Sequence, residues 1–86
     1  MAKGDSYIGL KKLLVNSREK KVVFSFQEIE EIIGRKLPKS AYKHTAWWSN
    51  NYDHSQAIAW IDAGYETYDV TANFGKEKIT FIKIVQ

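Results

Sequence analysis

The hydrophobic and polar positions of this chain change period several times, and each change marks an element. Tyr7, Leu10, Leu13 and Leu14 recur at helical spacing behind Asp5 or Ser6, either of which suits a helix cap, and residues 1–4 read as a frayed start. After a charged turn over 16–21 the period drops to two: Val22, Phe24 and Phe26 share one face of a short, half-buried strand. Helical spacing then returns, with Ile29, Ile32 and Ile33 on one side and Glu28, Glu30 and Glu31 on the other. Ser25 and Glu28 stand three apart, as a capping box requires, and Gly34 is where this helix stops. Pro38 fits the first turn of a third helix running through Ser40, Tyr42 and His44 toward Trp48. The pattern breaks over 49–52. Asp53 and Gln56 then resemble a second capping box, opening a helix with Ala57, Trp60 and Ile61 inward and Gly64 as its stop. Two strands, 65–71 and 78–85, close the chain, joined as a hairpin by Asn73-Phe74-Gly75-Lys76.

This order predicts an α+β fold with a winged-helix-like sequence of elements: helix, strand, three helices, and a C-terminal β-hairpin pairing with the early strand. At 86 residues the chain is expected to form one domain over 1–86, because two cores cannot be divided out of so short a sequence. In a winged helix the third helix commonly enters the major groove while the hairpin touches the DNA backbone. The additional helix from Asp53 leaves either the third or the fourth as the presented one.

Charge sharpens that expectation. The run from Arg35 to Tyr52 contains no carboxylate and carries +4 through Arg35, Lys36, Lys39 and Lys43, whereas the whole chain carries +3. The remainder therefore sums to −1, and the cationic excess lies in one segment. Such a concentration suggests a face for an anionic partner. Lysines on a helix's first turn add to its exposed N–H groups, and Ser40 and His44 can reach phosphates or base edges. Asn50, His54 and Gln56 lie beside the fourth helix start, where amide side chains can pair with adenine or simply close a loop. Lys76 and Lys78 give the hairpin a basic tip.

Aromatic residues support a rival reading. Adjacent tryptophans on a helix point about 100° apart, so either both are buried in a small aromatic core, or Trp48 joins Trp60 in the core and Trp47 lies at the surface as an interface platform. Tyr42, Trp47 and Tyr52, ringed by lysines, would then anchor a protein partner. Catalysis is not expected. His44 and His54, with Lys43, are the residues a metal-free ribonuclease would use, but no third group orients them. With no cysteine and no recognised ligand spacing, neither a metal site nor a cofactor is predicted. No apolar run has bilayer-spanning length and no secretory leader is visible, so no membrane association and a cytoplasmic location are the default.

Phe26, Glu28, Ile29, Glu30, Ile32, Ile33, Gly34, Leu37, Pro38, Ser40 and Ala41 are followed by Trp47, Trp48 and Asn50. His54, Gln56, Ala57, Ala59, Trp60, Ala63, Gly64 and Tyr65 complete the pattern. On these residues the chain resembles a largely uncharacterised family of small bacterial and phage-encoded domains. They occur alone or appended to larger proteins, in DNA-related contexts such as restriction and regulation. The resemblance implies no catalytic residue. It does imply that Trp48, Asn50, His54 and Gln56 form one connected unit in which the His54 helix packs beside the Trp47-Trp48 turn. The combined expectation is a duplex-DNA-binding module, with a protein-binding module as the alternative and a homodimer natural for so small a reader.

Overall fold

The computed structural model describes residues 7–84. The elements run α1 (Ile8–Asn16), β1 (Lys21–Ser25), α2 (Phe26–Ile33), α3 (Lys39–Lys43), a 3₁₀ turn (Thr45–Trp48), α4 (Ser55–Asp62), β2 (Tyr65–Tyr68), α5 (Val70–Phe74) and β3 (Lys78–Lys83). The sheet is antiparallel in the order β1-β3-β2, so the last strand lies between the early strand and β2. This is the expected mixed α+β fold, with the early strand paired to the C-terminal one. The predicted cap at Asp5 or Ser6, the frayed 1–4 and the end of the last strand at Val85 lie outside the described residues.

Local signals explain most boundaries. Ser25 Oγ accepts the Glu28 N–H at 3.0 Å while the Ser25 N–H donates to Glu28 Oε1 at 2.8 Å, so both halves of the capping box are made. The box also ends β1 one residue earlier than alternation suggested, and Phe26 becomes the first residue of α2. Gly34 closes α2 in the left-handed region at φ 76°, where a side chain would be strained.

Three expectations give way to other geometry. Asp53 and Gln56 form no capping box: His54 is the N-cap of α4, and the Asp53 N–H is bound by Asn51 Oδ1 at 2.9 Å in a local turn. The third helix does not continue to Trp48. His44 turns extended (φ −128°, ψ 121°), and the chain re-enters as a 3₁₀ turn. That break frees the two tryptophans from α-helical spacing, so Trp48 is fully buried and Trp47 half-buried against it, ring centroids 4.6 Å apart. Finally, β2 and β3 pair as predicted but not through a tight hairpin. Asp69 adopts φ 53°, starts α5, and the Asn73–Lys76 segment becomes the end of that helix and its exit.

The core lies between the helices and one sheet face. Leu10, Leu14, Phe26, Ile29, Trp48, Trp60, Tyr65, Ile79 and Phe81 are its large members. Trp60 and Phe26 each stack on Trp48, at centroid distances of 6.1 and 5.1 Å. Leu13, placed inward by spacing, is exposed instead. Helices α1 and α2 meet at Gly9, where a Cβ would stand 2.5 Å from the Ile32 carbonyl oxygen.

Candidate nucleic-acid interface

Helix α3 buries Ala41, packs Tyr42 against Phe26 and presents its lysines. Ala41 is buried, while Lys39, Ser40, Lys43 and the flanking His44 are exposed. Its approach is set by Glu30 on α2, whose Oε2 accepts the Leu37 N–H at 2.9 Å and the Tyr42 hydroxyl at 2.8 Å. These two donors, the Leu37 N–H first, hold the Glu30 carboxyl below the ordinary carboxylate range. Partial burial and the same bond to Glu30 push the Tyr42 hydroxyl up to about 12.

Arg35 and Lys36 are exposed on the α2–α3 link, with the Arg35 guanidinium 5.9 Å from the centre of the Tyr7 ring. They share a shallow hollow with Gln27, Glu30, Glu31 and Gly34, so α2's glutamates offset them. Lys39 and Lys43 make no ion pair among the described residues. They carry the uncompensated part of the basic run.

The second basic segment lies close by. The Phe26 N–H donates to the Glu77 carbonyl at 2.8 Å. The Phe26 ring meets Tyr42 of α3 edge-on at 5.1 Å and Phe74 of α5 at 5.9 Å. Glu77 in turn adds to the upward push on Tyr42. Phe26 therefore joins α3 to the α5–β3 turn, which exposes Lys76 and Lys78. Its hub role had no local signal in the sequence, because the three segments are far apart along the chain.

Asn50, His54 and Gln56 sit differently. Asn50 Oδ1 accepts the Trp60 indole N–H and the Thr67 N–H, each at 2.9 Å, and Asn50 Nδ2 donates to the Thr67 carbonyl at 3.1 Å. The Thr67 hydroxyl lies 3.1 Å from the same oxygen, but its single proton goes to the closer Trp48 carbonyl at 2.7 Å. Gln56 is buried and donates to the Trp47 carbonyl at 2.9 Å. The Trp48 indole N–H reaches the Ala41 carbonyl at 2.8 Å, tying the turn to α3. His54 is half-buried with an enclosed Nδ1 that finds no partner among the described residues. Asn50 and Gln56 are thus joined with the tryptophan turn as one unit, and their amides serve the fold, while the His54 side chain makes no hydrogen bond to it among the described residues. Of α4's residues only Asp62 is exposed, and it is 3.8 Å from Lys11. Helix α4 is therefore more deeply buried than α3, whose Lys39, Ser40, Tyr42 and Lys43 are exposed.

The aromatic candidates separate as well. Trp47 packs edge-on against Tyr7 at 6.1 Å, so it is no free anchor. Tyr52 is exposed, with its hydroxyl 2.6 Å from Asp62 Oδ1, a bond that raises its pKa. Among the described residues no three His, Asp or Glu side chains cluster as metal ligands, and no helix is long and apolar enough to cross a membrane.

A family model described as a domain of unknown function (DUF7662) matches residues 7–84. No curated protein and no solved structure matches the chain.

Proposed function

The chain belongs to the DUF7662 family, a domain of unknown function, and since that membership assigns no activity we propose from the geometry that it is a duplex-DNA-binding module of winged-helix type. The observation that carries the reading is the joining of two basic segments through Phe26: α3 with Lys39 and Lys43, and the α5–β3 turn with Lys76 and Lys78. Lysines from both segments contact phosphates, with Ser40 and His44 near the groove. Arg35 and Lys36 flank the site. Asn50 and Gln56, proposed from sequence as readers along with His54, act here by holding the tryptophan turn behind α3. The motif resemblance to bacterial and phage domains in restriction and regulation points the same way.

Helix α3 has five residues, too short to read many base pairs, so phosphate contacts dominate and affinity falls steeply with salt. The test is binding to a labelled mixed-sequence duplex across a salt series, beside single-stranded DNA and structured RNA. Lys39→Glu with Lys43→Glu is expected to abolish duplex binding while leaving the thermal transition intact. Unchanged binding by the folded double variant, or no binding at low salt, would sink this function.

A further inference from the structure

The sheet's second face carries a pattern that the proposed DNA contacts do not use. Val22, Phe24, Ile79, Phe81 and Tyr65 belong to the core face. By alternation Lys21 and Val23 of β1, Thr80 and Ile82 of β3, and Glu66 and Tyr68 of β2 turn the other way. The register arranges them in two rows across the strands, Lys21–Ile82–Glu66 and Val23–Thr80–Tyr68. Val23 and Tyr68 are 47% and 55% exposed, and Ile84, just past the end of β3, is 40% exposed. One row thus has an apolar centre between two opposite charges, and the other has two exposed apolar side chains about a buried threonine, Thr80, whose hydroxyl lies 3.4 Å from Asn73 Nδ2.

We propose that this face docks a second copy of the chain, sheet on sheet, about a two-fold axis running along β3. That axis sets β1 of one copy over β2 of the other. Lys21 then faces Glu66 of the other copy, Val23 faces Tyr68, and Ile82 meets Ile82. Both charges find their opposites twice, once on each side of the axis. A two-fold across the strands would stack β1 on β1 and leave Lys21 and Glu66 without opposite charges, so the row order selects the first arrangement.

Strand spacing and rise give a face of roughly 300 Å² per copy. A stable interface buries about 800 Å² per partner, so the dimer is weak, with a dissociation constant on the order of 100 μM or above. A weak dimer suits a module that gains its second contact on a shared ligand.

The experiment is sedimentation equilibrium of the chain without nucleic acid, from about 10 μM to about 1 mM. Reversible dimerisation is expected, with Lys21→Glu or Glu66→Lys alone weakening it by about tenfold or more through like-charge contacts. Mixing those two single variants should restore association, as should both exchanges in one chain. In parallel, amide NMR shifts on diluting the unmodified chain should concentrate at Val23, Glu66, Tyr68 and Ile82. A monomer throughout the range overturns the proposal. Dimerisation indifferent to the charge exchanges, or dilution shifts confined to α3, overturns it equally.

Discussion

At the scale of single residues, the side chains that matter most here are polar ones placed inside or against the core. Asn50 accepts from the buried Trp60 indole and from the amide of buried Thr67. Leaving a buried donor unpaired costs about 1–3 kcal/mol. Asn50→Ala is therefore expected to lower stability by about 3 kcal/mol, measured from the shift in urea midpoint. Asn50→Asp keeps the acceptor and loses only the donation to the Thr67 carbonyl, so it should cost less. Equal loss in the two variants would refute this division of roles. Tyr42 makes a pH prediction. Its pKa is raised from 10.0 to about 12, so the fold favours the neutral hydroxyl. That contribution is whole below pH 10 and disappears as pH rises toward 12. Glu30 is the opposite case: its pKa is depressed, so its contribution is whole above 4.5 and fades as pH falls through the lowered value. Melting temperature against pH should fall less steeply above pH 10 for Tyr42→Phe than for the unmodified chain. Parallel curves would contradict the assignment.

At the scale of elements, the sequence was legible wherever a signal was local. The capping box at Ser25 and Glu28, the left-handed stop at Gly34 and the inward face of Leu10, Leu14 and Ile29 all follow from neighbours a turn or less away. The second box failed because Gln56 is drawn inward to the Trp47 carbonyl, a partner nine residues earlier. The hairpin turn became a helix because Phe74 packs on Phe26, a contact no turn motif encodes. Gly9 belongs to the same class. Alanine there would add about 1 kcal/mol of helix propensity. It would also thrust a methyl within 2.5 Å of the Ile32 oxygen, and overpacking of that kind costs about 1–3 kcal/mol. The contact is with backbone, which cannot swing aside, so the clash should win. Gly9→Ala is expected to lower the melting temperature by roughly 5 °C or more. A higher melting temperature would mean that α1 slides freely over α2.

At the scale of the whole molecule, the candidate site was half readable. The acid-free run picked out Lys39 and Lys43, and both are exposed on α3, because charge needs no long-range context to be seen. The same reasoning overreached at Asn50 and Gln56, whose amides look identical in sequence whether they meet a base or a backbone. What distinguishes them is the tryptophan turn, assembled only when α3, α4 and β2 come together. The resemblance motif had marked these residues as one unit, and that grouping was the better guide to their structural use.

The Asn50 amide has one more consequence. By engaging both the N–H and the C=O of Thr67, it occupies the place that a neighbouring strand would take beside β2. An open strand margin is a template for misassembly, and proteins commonly block it. Here a single carboxamide does so. Losing it would unpair the margin as well as weaken the fold, so Asn50→Ala should precipitate on heating at concentrations where other variants of equal stability refold.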